Sequence, residues 1–100
     1  MQRPKGLAIM TGPDRRHLPG NELVEAGLAD LAHGRESIAS LVVAIGAPRL
    51  RSLGVEVPDA GPSPELRLYR VLQNIYGDGA HAQYNALIGR LVSFERACEM

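Results

Sequence analysis

The sequence contains no tryptophan, one phenylalanine and three tyrosines. So few aromatic rings leave little rigid surface for stacking bases, and the aliphatic remainder suits helix-on-helix packing. The single cysteine, Cys98, excludes an internal disulfide and a cysteine-built zinc site. Three residues from the end, it reads as a small core residue and not as a nucleophile. Long hydrophobic runs are missing too: the longest near-apolar stretch, Ile38 to Ala47, falls far short of a membrane span. Near the N-terminus, Gly12, Pro13 and Asp14 interrupt any apolar leader. These absences give a cytoplasmic, reducing location as the expectation.

Net charge is also missing. Eleven basic residues balance eleven acidic ones, so no global field draws the chain to nucleic acid or anionic lipid. Locally the balance is uneven. Arg3, Lys5, Arg15 and Arg16 against Asp14 give residues 1–20 a net of +3, leaving −3 for the rest. Ten of the eleven basic residues are arginine, as in a sequence with much alanine and glycine.

What is present is the composition of one globular domain: 100 residues, 45% of them apolar and 22% charged. Residues 1–20, with three prolines, three glycines and no periodicity, read as a flexible basic tail. Within it Leu7, Ala8, Ile9 and Met10 are the only residues suited to local docking. Residues 21–100 read as the folded part, an all-α compact bundle of four to five helices.

Helix boundaries follow from caps and breakers. Asn21 is placed as an N-cap with Glu22 in the first turn, and Gly34 as the stop. Leu23, Val24, Gly27, Leu28 and Leu31 share the apolar side, where Gly27 permits close approach of a second helix. Ser37 is placed as the next cap. Its helix, apolar almost all round through Ile38, Leu41, Val42, Val43, Ala44 and Ile45, belongs at the centre. Pro48 opens a short helix ending near Leu53 and Gly54. After a loop starting extended at Val55 and Val57, Ser63-Pro64-Glu65 marks another start. Leu68, Tyr69, Val71, Leu72, Ile75 and Tyr76 share one face of it, and the last helix spans about Gly79 to Cys98.

The chemistry-bearing spacing is Asp78-x-x-His81-x-x-Tyr84. Capping accounts for it: Asp78 as N-cap accepts from the His81 N–H, with no metal or proton relay needed. Two ligands do not make a metal site, and "GDG" lacks the length and lysine of a phosphate loop. No catalytic residue, metal or cofactor is assigned; an enzyme using Asp78, His81 and an arginine is the third-ranked reading. A DNA-binding regulator is the second. It would use a helix-turn-helix over residues 65–97, with Gln83 and Arg90 on the reading helix and Arg15 and Arg16 in a minor-groove arm. Asp78 in the turn opposes it.

The first reading is protein association through the C-terminal helices, by self-association or docking of a small protein partner. Tyr84, Leu87, Leu91, Phe94 and Cys98 form an inner seam on the last helix. Almost opposite run Ala82, Ala86, Gly89, Ser93 and Ala97, small residues that let another helix approach, whether of this chain or a partner. Arg49, Arg51, Arg67 and Arg70 are expected to form a basic rim.

Overall fold

Residues 18–99 are described by the structure, a computed structural model. The readings placed on residues 1–17, including docking by Leu7–Met10 and an arm bearing Arg15 and Arg16, lie outside the described residues. From Gly20 onward the chain is all-α, a compact bundle whose elements are α1 (Asn21–Ala32), α2 (Ile38–Ile45), α3 (Ala47–Ser52), α4 (Pro64–Tyr76) and α5 (Ala80–Cys98). A single 3-10 turn, Gly77–Gly79, joins the last two.

Helix α2 is the central rod. Ser40, Leu41, Val42, Val43 and Ala44 are all buried, which requires neighbours on every side. It packs against α1, α3, α4 and α5. The closest approach is to α1 at Gly27, where a Cβ would overlap the Ala39 carbonyl oxygen and Val43 Cγ2. Around α2 the core gathers Leu23 and Val24 of α1, Leu50 of α3, Leu68 and Leu72 of α4, and Leu91 and Phe94 of α5.

The α1–α2 connection is built on side chains. Ser37 forms a reciprocal capping box: the Ser40 N–H donates to Ser37 Oγ (3.0 Å) and the Ser37 N–H donates to Ser40 Oγ (2.7 Å). The Ser37 hydroxyl in turn donates to Asp30 Oδ2 (2.6 Å), while Arg35 donates to Asp30 Oδ1 through Nε (3.1 Å) and Nη2 (3.0 Å). These donors hold the Asp30 carboxyl below its ordinary value, the neutral Ser37 hydroxyl contributing most and the Arg35 guanidinium next. Gly34, at φ 69°, occupies the left-handed position after α1 where glycine is favoured.

Arginines fix the long loop between α3 and α4. Arg51 donates to the Val57 carbonyl through Nε (3.1 Å) and Nη2 (2.7 Å). Arg67 donates through Nη1 to the carbonyls of Ala60 (2.9 Å) and Pro62 (2.8 Å), and it pairs with Glu36. Val57 is thereby held in the core, and the expected extended start of the loop forms no strand pairing among the described residues.

Three capping expectations are corrected. Asn21 is the first residue inside α1, not its cap; Gly20 holds that place at φ 77°, and the Asn21 Oδ1 is buried without a hydrogen-bond partner among the described residues. Gly20 is set by packing, since a Cβ there would lie 2.5 Å from the Arg90 carbonyl oxygen. Ser63 precedes α4 but sits at φ 53°, ψ 51° with no side-chain cap bond, so Pro64 alone performs the expected opening role. Asp78 belongs to the 3-10 turn, and α5 begins after Gly79 with no side-chain cap. The Asp78–His81 capping bond is not made.

Candidate interaction surface

Helices α4 and α5 form a hairpin that leans on α2 through its inner side. Tyr69 and Tyr84, fifteen positions apart in sequence, bring their rings to 5.9 Å at a 54° tilt. This tilted pair locks the helices side by side across the turn. Burial and the nearby Glu65 carboxylate raise the Tyr84 hydroxyl above its usual value, so it stays a neutral phenol at physiological pH.

The inner seam of α5 agrees in direction with the sequence pattern. Leu91 and Phe94 are fully covered, and Tyr84, Leu87 and Cys98 pack half-buried against the core. At its far end Arg49 of α3 pairs with Glu99 and also faces Glu95. Burial raises the Glu95 carboxyl, with Arg49 opposing the shift only in part. The Glu95 carboxylate reaches the α2–α3 corner, where Leu91 also fills the space beside Gly46.

On the outer side, Ala82, Ala86, Gly89 and Ser93 are exposed and Ala97 is half-buried. Apart from its chain neighbours and the backbone of its own helix, no described residue comes within 4 Å of where a Gly89 Cβ would stand. Nothing among the described residues packs against the strip at Gly89.

The larger surprise is on α4. Ile75 and Tyr76 share a face with the buried Leu68 and Leu72, yet they are 58% and 46% exposed. The angular assignment is sound: Ile75 lies seven residues beyond Leu68 and Tyr76 four beyond Leu72, so each stays on the same side of the rod. What fails is length. The α4 rod continues past the elements that cover Leu68 and Leu72, and its last apolar turn emerges at the hairpin tip. Leu66, 51% exposed, lies on the opposite side of α4.

The tip also carries Asp78 and His81, both exposed. Asn85 Nδ2 lies 3.3 Å from His81 Nε2, one turn along α5. Among the described residues, no three His, Cys, Asp or Glu side chains come together to hold a metal ion. Gln83 and Arg90 are exposed on α5, one on each side of Ala86.

The expected basic rim does not form as a free surface. Arg49, Arg51 and Arg67 are committed to Glu99, to the Val57 carbonyl, and to Glu36 with two loop carbonyls, leaving Arg70 as the exposed member with no such bond among the described residues. The same commitment explains the cleft of about 180 Å³ bounded by Leu31, Arg35, Ser40, Asp59 and Arg67. Its cationic groups are already bonded to Asp30 and Glu36. Among the described residues no helix is long and apolar enough to cross a membrane. Compared with protein-family models, curated proteins and solved structures, the chain finds no match.

Proposed function

We propose that this protein acts by association with another protein surface through its α4–α5 hairpin, and not by catalysis. The observation that carries the reading is the exposed last turn of α4, where Ile75 and Tyr76 continue a side of the helix that is otherwise core. Two adjacent large apolar side chains held rigid on a helix are ready to be covered, and burying either removes apolar area from water at about 25 cal/mol per Å². The open outer side of α5 supports the same reading, because small residues let a partner helix come close. Binding would add apolar cover to a preformed surface and would need no reordering of the hairpin.

A photo-reactive phenylalanine analogue placed at Tyr76 in cells tests this. It is expected to give a protein adduct that a control at the exposed Glu25 of α1 does not give, and Ile75→Glu is expected to abolish it. Adducts from both positions alike, or from neither, would overturn the reading.

A further inference from the structure

Resting on that reading, we infer that the apolar hairpin tip is shielded in the free chain by the chain's own N-terminal segment, Leu7–Met10, which a partner must displace. The tip differs in composition from the rest of the molecule. Residues 71–89 carry one formal charge, Asp78, although Gln73, Asn74, Ile75 and Tyr76 are all exposed there. Depletion of charge around large apolar and aromatic side chains marks the core of an interface. Asp78 has no ion-pair partner among the described residues, which favours a cover that is apolar and basic.

The chain itself supplies such a cover. Residues 1–17 hold a single apolar run, Leu7, Ala8, Ile9 and Met10, with Lys5 just ahead of it, and their net charge is +3. The point of attachment fits as well. Leu18 packs against the core, and its carbonyl accepts from the Asn21 N–H (3.2 Å). Gly20 lies against α5, where a Cβ would come 2.5 Å from the Arg90 carbonyl oxygen. From Arg90 back to Ala80, where α5 begins, is ten residues, or about 15 Å along the helix. Met10 stands eight residues before Leu18, a length that spans up to about 26 Å when extended. The run therefore reaches the tip with chain to spare for passing round to the side of α4 that Ile75 and Tyr76 occupy. Being tethered, it competes for that side at an effective concentration on the order of 1 mM, so a weak contact is enough to shield it. A second copy or another protein gains the tip only by binding more tightly than the tethered run.

The test places the photo-reactive phenylalanine analogue at Tyr76 of the purified full chain. Peptide mapping is expected to find it joined to residues 7–10 of the same chain, in a yield unchanged on dilution. Leu7→Asp combined with Ile9→Asp is expected to lower that yield about tenfold, since both remove apolar contact. Circular dichroism of this variant is expected to match the parent, because both residues precede the packed Leu18. In cells the same variant is expected to raise partner adducts at Tyr76 about twofold or more, the tip being free more of the time. Adducts formed only between chains, or spread over the chain without preference for residues 7–10, would overturn the shielding. So would a yield indifferent to the two substitutions. Failure of the association reading looks different: the purified chain would still join Tyr76 to residues 7–10, while neither parent nor variant would give partner adducts in cells.

Discussion

Glycine separates what was legible at the scale of single residues from what was not. Gly27 could be read as a close-approach site because it interrupts an apolar helical stripe, and the α1–α2 packing bears this out. Gly89 sits in a stripe of much the same look, yet no other element among the described residues packs against it. The difference lies in which helix faces it, and a local pattern does not carry that. Substitution by alanine turns the contrast into opposite signs. Gly27→Ala is expected to lower stability by about 1–3 kcal/mol, because the obstructing Ala39 carbonyl is backbone and cannot swing away. Gly89→Ala is expected to raise it by about 1 kcal/mol through helix propensity. Urea melts of the two variants at low protein concentration check both.

Two carboxylates make a second contrast in sign, this time with pH. Asp30 is held low in the fold by Ser37 and Arg35, so its contribution is complete above the ordinary value of 3.8 and is lost as pH falls through the folded value below it. Glu95 is held high by burial, so its ionised form weakens the fold near neutrality and protonation relieves that as pH falls towards 4.5. Asp30→Asn is therefore expected to lower the melting temperature at pH 7 and to matter less at pH 3. Glu95→Gln is expected to raise it at pH 7, with the difference vanishing below 4.5. Melting both variants across this range tests the assignments. Neither shift was legible beforehand: Ser37 is seven residues from Asp30, and the burial of Glu95 comes only from the way α5 meets the α2–α3 corner.

At the scale of elements, helix positions followed closely from periodicity and breakers, while caps did not. Ser37 does what a serine before an apolar run is expected to do, because its backbone is extended there, at φ −147°, ψ 170°. Ser63 and Asp78 are equally good caps by type. Ser63 is turned into the left-handed region by the loop that Arg67 ties down, and Asp78 is taken up in a 3-10 turn. A side chain caps only when the backbone around it allows, and that backbone is set by tertiary contacts. Ser37→Ala is accordingly expected to cost about 1 kcal/mol, while Asp78→Ala is expected to stay within about 0.5 kcal/mol. Thermal melts distinguish these directly. The exposed end of α4 is an element-scale lesson as well. Side-chain periodicity finds the inward direction of Ile75 and Tyr76, but how far the covering helices reach is a property of their lengths and crossings.

For the molecule as a whole, association and nucleic-acid binding differ in how strongly each should respond to salt. A chain with eleven charges of each sign carries no net repulsion between copies. Self-association through the hairpin would rest mainly on apolar cover, with any exposed ion pair contributing about 0.2–1 kcal/mol. Screening such a pair removes at most that, and salt strengthens apolar burial slightly in the other direction. Dimer affinity is therefore expected to change by less than about tenfold between 50 and 500 mM salt. A DNA reader using Gln83, Arg90 and a basic tail would behave differently, because displaced counterions make duplex affinity fall by about a thousandfold or more between 50 and 200 mM when many phosphates are contacted. Two titrations at 50 mM salt, one of the chain against itself and one against duplex, followed by the same pair at 500 mM, place the protein on one side or the other. Weakly salt-dependent self-association with no duplex binding at the lower salt is the expected result. Tight duplex binding at 50 mM that collapses at 500 mM would return the hairpin to the role of a reading head.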